Sequence, residues 1–296
     1  MLVLLLAVLA PGGAEAATGR VRVDRPGTPG PRVHLVYLVA QGQPDRHRDT
    51  DGSLARAAEQ LQRWTARETG GRRWRLDTFR SGGRTLADIT FVRSPRTTYD
   101  VCPLDPQADP VTLAGQHVDC LSSLVDPNGD PWAKVRDDLA AAGLKEPGVR
   151  YLVLVQGTAS IICGMAQGPD DGDRDPSHVG VVSAVFLGEE ACPNDVPGTG
   201  GTVDWALAHE LLHGDGVVPV GAPHYCAGAS GHVCTAGLAN GSPVTDSLDP
   251  ERADILYPSP GIGLLDAHLD PGHDDYFETA IGLRDLADSP YLTKGR

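Results

Sequence analysis

Two histidines four residues apart flank a glutamate in the stretch ALAHELLHGDGVVP, at residues 206–219. On a helix, His209 and His213 lie one turn apart on the same face, so both imidazoles can reach a single ion. Glu210 lies about 100° further round the helix, where its carboxylate can contact a metal-bound water without entering the coordination shell. This spacing indicates zinc-assisted hydrolysis, with Glu210 as the general base.

Apolar neighbours make these polar side chains costly to bury without a partner. The residues around them are Trp205, Ala206, Ala208, Leu211 and Leu212. An unpaired Glu or His among them costs free energy, which a metal ion with its surrounding hydrogen bonds removes. The alternative is a histidine pair that merely packs or lies on the surface, and the helical context disfavours it.

A catalytic zinc site needs three protein ligands and a water, so a third ligand must come from elsewhere. The segment HELLHGDG resembles the metzincin pattern H-E-x-x-H-x-x-G-x-x-H/D as far as Gly216. Pro219 stands where that pattern has its third ligand, and proline cannot ligate. More closely, the chain resembles a group of secreted actinobacterial zinc-protease-like proteins, distantly related to metzincins. Four short motifs carry this resemblance over residues 203–292: APH (222–224), GHVC (231–234), DILY (254–257) and DDYF (274–277).

The resemblance, with side-chain chemistry, points to His224 as the third zinc ligand beside His209 and His213. His232 and the carboxylates of Asp254, Asp215 and Glu251 remain alternatives. It also implies that Tyr257 assists at the oxyanion, although a purely structural tyrosine fits the sequence equally well. Metzincins place a methionine beneath the metal, whereas here the turn at DILYP must present Ile255 or Leu256.

The remaining patterns predict a mixed α/β (α+β) fold of the zincin type. Strands are expected at 32–40, 73–79, 86–92, 149–155 and 179–187. Helices are expected from Ser53, as cap, to Gly70, from Pro131 onward, and around the histidine pair. We therefore expect a twisted mixed sheet with helices, followed by an irregular, disulfide-bonded C-terminal subdomain.

The N-terminus predicts export. Residues 1–16 combine an apolar run with a small-residue cleavage site and are interpreted as a signal peptide. Residues 17–31 form a leader without structure, 32–216 an N-terminal zincin subdomain with the active-site helix, and 217–296 a loop-rich C-terminal subdomain. No further apolar stretch is long enough to span a bilayer.

Six cysteines follow the predicted signal peptide, and an even number in an exported chain favours disulfides over a thiolate metal site. The simplest pairing joins sequence neighbours: Cys102 with Cys120, Cys163 with Cys192, and Cys226 with Cys234. The acidic tract at 169–177 could be a calcium loop, but its spacing does not match an EF-hand and a solvated loop is favoured.

The net charge of −14 is unevenly distributed, with +6 in residues 1–100 and −20 in the rest. Such a charge disfavours a nucleic acid partner for the second part. We expect a secreted, monomeric zinc metalloendopeptidase that acts on protein or peptide substrates. The alternative is a zincin-derived extracellular protein with a degraded metal site that binds a peptide or another ligand in its cleft.

Overall fold

The computed structural model describes residues 29–99, 131–157, 163–166, 181–187, 196–219, 221–226, 231–234, 250–258, 262–279 and 285–293. The predicted signal peptide, most of the leader and the acidic tract at 169–177 lie outside these ranges. So do Cys102, Cys120 and Cys192. The pairing expected between Cys102 and Cys120 therefore falls outside the described residues, as does the expected partner of Cys163.

A five-stranded mixed sheet forms the centre of the fold. Its strands are β1 (Arg32–Val39), β4 (Ile89–Arg93), β5 (Val149–Gln156), β6 (Gly164–Ala166) and β7 (Val181–Phe186). They lie in the order β4-β1-β5-β7-β6. The first four are parallel, and β6 runs antiparallel to β7 at one edge. All eight residues of β1 and of β5 are buried, as continuous apolar runs in parallel sheets usually are.

Strands β2 (Thr78–Ser81) and β3 (Arg84–Ala87) form a separate antiparallel hairpin. In this part of the chain the sequence predicts two strands, at 73–79 and 86–92, and the structure differs from both predictions. The strand predicted at 86–92 is in fact two, separated at Asp88, whose backbone N–H donates to the carbonyl of Asp77. The strand predicted at 73–79 is mostly a connecting segment, joined to β1 by a single bridge at Leu76. Alternating apolar residues occur in both arrangements, so the pattern alone could not separate them.

Three α-helices occur in the described ranges: α1 (Ser53–Glu68), α2 (Pro131–Ala141) and α3 (Thr202–Gly214). The residue that caps α1 is Gly52 rather than the predicted Ser53, and it adopts the left-handed conformation at φ 79°. Ser53 lies inside the helix, where its hydroxyl donates to the carbonyl of Arg48. None of the described helices has the length and apolar character needed to cross a membrane.

The sheet separates two apolar layers. Alternate residues of β1 face different layers, with Leu35 and Tyr37 on the side of α1 and α3, and Val36 and Leu38 on the side of α2. The first layer also contains C-terminal residues, among them Ile255, Leu256, Leu264, Tyr276, Phe277, Tyr291 and Leu292. Helix α3 is thus enclosed between the sheet and the C-terminal segments, and eleven of its thirteen residues are buried.

The predicted mixed α/β class is confirmed. The disulfide between Cys226 and Cys234 is also present, with a Cα–Cα distance of 5.1 Å. Cys163 is disulfide-bonded as well.

Candidate metal centre

Three histidines converge beside the C-terminal half of α3. The Nε2 atoms of His209 and His213 are 2.9 Å apart, and each lies 3.2 Å from Nε2 of His232. Nitrogens bound at about 2.0–2.1 Å to one tetrahedral zinc ion are separated by about 3.3 Å, close to this spacing. The three side chains therefore have the geometry of a facial set of metal ligands.

A hydrogen bond fixes which nitrogen of His209 can bind a cation. Its Nδ1 lies 2.6 Å from the carbonyl oxygen of Ile255. A carbonyl can only accept, so Nδ1 carries the proton and Nε2 presents its lone pair to the other two histidines. Metal-ligating histidines commonly donate their second nitrogen to a carbonyl in this way.

The turn that supplies this carbonyl is held by a buried carboxylate. Asp254 is 0% exposed and accepts hydrogen bonds from the backbone N–H of Leu256 at 2.6 Å and of Asp270 at 3.0 Å. The hydroxyl of Tyr276 donates to both Asp254 oxygens, at 2.9 and 3.0 Å. The sequence offers Asp254 as an alternative third metal ligand. In the structure its carboxylate instead holds the turn that orients the Ile255 carbonyl.

His232 reaches the pair from a short, disulfide-bonded hairpin. The backbone N–H of Cys226 donates to the carbonyl of His232, and that of Cys234 to the carbonyl of His224. Gly231, directly before His232, has φ +77°, and a Cβ built on it would lie 2.8 Å from Nδ1 of His213. Glycine is needed here both for the backbone angle and for the close approach to the ring.

Burial favours neutral imidazoles at this site. It lowers the pKa of His209 to about 3, with a further lowering by His232, while the hydrogen bond to Ile255 acts in the opposite direction. Burial and the two neighbouring histidines also lower the pKa of His213 well below its usual value. The lowered pKa of His209 and His213 keeps these two rings neutral, and a neutral imidazole can offer a nitrogen lone pair to a cation.

Trp205 covers one side of the cluster. Its indole packs against the ring of His209 with a centroid separation of 4.5 Å. Trp205 lies one helical turn before His209, so the same face of α3 supplies both the potential ligand and its apolar cover.

Glu210 is directed toward the edge strand β6. Its side chain is buried, and burial raises its pKa well above the ordinary value. A Cβ built on Gly164, the first residue of β6, would lie 2.5 Å from Oε1 of Glu210. Only a glycine at this point leaves room for the carboxylate.

His224, the ligand favoured by the sequence, is not part of the histidine cluster. Its Nδ1 lies 3.0 Å from Oδ2 of Asp275, and its backbone N–H donates to Oδ1 of the same residue at 2.8 Å. It belongs to a second group of potential ligands, with Glu251 and Asp275. The hairpin thus carries both histidines that the sequence proposed, but brings His232 to the pair.

Two other residues proposed from the sequence, Tyr257 and Asp215, are buried and form contacts outside the histidine cluster. Tyr257 is 1% exposed and packs against the disulfide between Cys226 and Cys234. Asp215, at the end of α3, forms a buried ion pair with Arg150, at 3.2 Å. Asp215 therefore supports the C-terminal end of the helix that carries the histidines.

Sequence reasoning missed the contributions of Gly164 and Asp254 to this site. A three-residue strand gives no periodic pattern, so the contact between Gly164 and Glu210 could not be foreseen. The DILY motif was recognised, but its role was assigned to apolar side chains rather than to the carbonyl of Ile255. Residue types do not show which backbone groups form hydrogen bonds, so the bond between His209 and the Ile255 carbonyl could not be predicted from the sequence.

Comparison with known proteins adds no functional assignment. No model of a known protein family matches the chain, and no curated protein does. A solved structure described as that of a chaperone–substrate complex is similar at 13% identity and a TM-score of 0.30. The similarity covers 81% of this chain but only 31% of the other chain, and at that TM-score it carries no argument about fold or function.

Proposed function

We propose that this protein is a secreted zinc metallopeptidase whose metal ligands are His209, His213 and His232. The observation that carries the proposal is the convergence of three imidazole Nε2 atoms within 3.2 Å of one another. Imidazole suits zinc, and three protein ligands leave a fourth position for water, as in catalytic rather than structural zinc sites. His232 thus replaces His224 as the proposed third ligand.

The surrounding residues suit hydrolysis. A zinc ion bound there supplies Lewis-acid polarisation and lowers the pKa of water toward about 7. Glu210, with its raised pKa, is suited to accept a proton from water and to pass it to the leaving amine. The Ile255 carbonyl keeps His209 in the tautomer that ligates, and Trp205 keeps bulk water from one side of that ring.

Strand β6 supports a peptide as the substrate. It lies at the edge of the sheet, pairs only with β7 among the described strands, and begins beside the Glu210 carboxylate. An extended peptide can add to such an edge through backbone hydrogen bonds. A substrate bound in this way would run past the general base.

Export of the chain is part of the same proposal. The Cys226–Cys234 disulfide supports an oxidising compartment, where such bonds persist. The predicted signal peptide at residues 1–16 agrees with this, and its cleavage can be read from the N-terminal sequence of secreted protein.

Zinc content and peptide cleavage test the proposal together. We expect about one zinc per chain in the purified protein, and casein cleavage that a chelator abolishes. His232→Ala should lower zinc affinity by about 100-fold or more, because two imidazoles remain. Glu210→Gln should retain zinc and lose casein cleavage by about three orders of magnitude or more.

His224→Ala is the matched control, because it removes a histidine from the same hairpin without touching the cluster. It should retain zinc with an affinity close to that of the wild type. If His224→Ala loses zinc and His232→Ala keeps it, the ligand assignment is wrong. If wild-type protein binds zinc but cleaves no peptide, the chain is a metal-containing binding protein and the peptidase proposal fails.

A further inference from the structure

A cavity of about 660 Å³ lies between α1 and the β2–β3 hairpin. Its apolar lining comes from both elements, from the segment between them and from the start of β4, and includes Ala55, Ala58, Trp74, Leu76, Leu86 and Ile89. This volume lies within the range of pockets that hold small ligands or a few peptide side chains. The metallopeptidase proposal makes no use of it.

The cavity and the helix face that carries Glu210 lie near opposite edges of the five-stranded sheet. Ile89, one of its lining residues, belongs to β4, which is one edge of the sheet. Glu210 lies beside β6, which is the opposite edge. A molecule in the cavity would therefore occupy a site separate from the proposed catalytic centre.

Four arginines line this cavity: Arg63, Arg73, Arg75 and Arg84. The acidic lining residues are Asp49 and Glu59, and Glu59 lies 3.5 Å from the guanidinium of Arg63. Arginines therefore outnumber carboxylates in a protein whose net charge is −14. The cavity is a local exception to the charge of the whole molecule.

Three of these arginines keep their positive charge available. The Arg75 guanidinium donates to the carbonyls of Pro29 and Pro31, which fix it without neutralising it. Arg73 and Arg84 are exposed, and neither side chain forms an ion pair with any residue in the ranges that the structure describes. Guanidinium groups in this state bind carboxylates well, because their donors match both carboxylate oxygens.

We propose that this cavity is a docking site for an acidic peptide segment that also carries apolar side chains. The arginines would bind its Asp or Glu carboxylates, and the apolar wall would take its Leu or Phe side chains. The hydroxyls of Thr78, Thr85 and Thr293, also in the lining, can bond to peptide amides. The charge complementarity selects an acidic segment over a basic one.

Binding can be measured by fluorescence anisotropy with a labelled peptide of alternating Glu and Leu residues. The protein should carry Glu210→Gln, so that cleavage of the peptide is suppressed. We expect saturable binding at about 0.15 M salt that weakens as salt is raised. The same peptide with Gln in place of Glu should bind at least about tenfold more weakly, and a Lys version should not bind.

Arg73→Glu with Arg84→Glu tests the site itself. Together they should weaken binding of the Glu–Leu peptide by about tenfold or more, since two attractions become repulsions. Arg80→Glu is the matched control, because Arg80 is exposed on the same hairpin but does not line the cavity. The affinity of that variant should stay within about twofold of the parent.

Several results would overturn the proposal. One is equal binding of the Glu and Gln peptides, and another is an equal loss of affinity in Arg80→Glu and in the double variant. A third is saturation of the cavity by a fatty acid, detected through Trp74 fluorescence, with no binding of the peptide. Because no arm requires zinc, failure here leaves the metallopeptidase proposal untouched, and loss of zinc binding leaves the docking site untouched.

Discussion

At the scale of single residues, the site depends on a few close approaches that no larger side chain would permit. Gly231 contacts the ring of His213, and Gly164 contacts the carboxylate of Glu210. The first of these contacts is to a proposed metal ligand, and the second is to the proposed general base. In the proposed function the histidines and the glutamate would supply the chemistry, and the glycines determine how close the neighbouring chain can come.

Gly231→Ala should weaken zinc binding. Its Cβ would lie 2.8 Å from Nδ1 and 3.1 Å from Cε1 of His213, so the ring or the hairpin must shift. The φ of +77° adds a conformational cost of about 1 kcal/mol for alanine. We expect about a tenfold or greater loss of zinc affinity, measured by competition with a chromophoric chelator.

Gly221→Ala separates the two causes. Gly221 has φ +101°, but a Cβ there meets nothing within 4 Å. This variant should lose a similar conformational stability and keep its zinc affinity. Equal zinc affinity in both variants would show that the contact with His213 does not matter.

At the scale of elements, the hairpin around Cys226 and Cys234 delivers His232. Its two cysteines are eight positions apart, and its chains meet through the backbone hydrogen bonds of Cys226 and Cys234. Its described residues pair through one isolated bridge, between Tyr225 and Val233, and the covalent link further limits the conformations that His232 can adopt.

Replacing both cysteines by serine should therefore affect stability and metal affinity together. A closed loop of this length is worth about 2–3 kcal/mol of unfolding free energy in the chain-entropy account. We expect that loss in urea denaturation, and a weaker zinc affinity in the protein that remains folded. Unchanged zinc affinity in the double variant would indicate that packing alone positions His232.

A second buried carboxylate, that of Asp77, connects the segment before β2 to residues of β1. Asp77 is 1% exposed, accepts from the Arg32 guanidinium at 2.9 Å, and lies 3.3 Å from Nδ1 of His34. Burial raises the pKa of Asp77, but the hydrogen bonds from His34 and Arg32 lower it by more, so its net pKa is depressed. Its charged form therefore stabilises the fold.

Asp77→Asn should lower the free energy of unfolding by about 2 kcal/mol at pH 7, because the buried Arg32 loses one of its two carboxylate partners and keeps Glu146. The wild-type advantage is fully present above the unfolded pKa of about 3.9 and is lost as pH falls through the depressed folded pKa. The difference between the two proteins, measured by urea unfolding from pH 7 to pH 2, should begin to shrink below about pH 4. A constant difference across this range would contradict the assigned charge state.

Elements that bury a continuous apolar run could be predicted from the sequence, and short or backbone-defined ones could not. Residues 149–155 and 179–187 were predicted as strands and correspond to β5 and β7, because β-branched runs fit a covered parallel sheet. The sequence also places His209 and His213 correctly on a helix, because their four-residue spacing is typical of one helical turn. His232 could not be selected over His224, since two histidines on one hairpin are distinguished only by the register of its pairing.

At the scale of the whole molecule, the C-terminal segment joins parts that are far apart in the chain. Residues 285–293 contact the segment before β2 through Thr293 and Tyr291, whose backbone groups bond to Arg73 and Arg75. The same segment reaches the end of α3, where the Ser289 hydroxyl donates to Asp215 at 3.0 Å. The helix that carries the histidines is thus held at its end by a residue 74 positions further along the chain.

The centre of this junction is an ion pair between Arg150 on β5 and Asp215. Arg150 is 3% exposed and Asp215 is 0% exposed, and the guanidinium also lies over the Tyr291 ring, at 4.2 Å from its centroid. Asp215→Leu should destabilise the protein by about 3–5 kcal/mol, because it leaves the buried charge of Arg150 uncompensated. Arg150→Met should have a similar cost for the opposite charge.

The double variant Arg150→Met, Asp215→Leu should recover much of this loss, because it removes both charges and keeps apolar volume at the junction. A double-mutant cycle in urea denaturation measures the coupling, which we expect to be at least about 2 kcal/mol. Zinc affinity should follow stability across the cycle if the junction acts by holding the end of α3. Additive losses in the double variant would mean that the two residues act independently, and that the C-terminal segment is fixed by its backbone contacts alone.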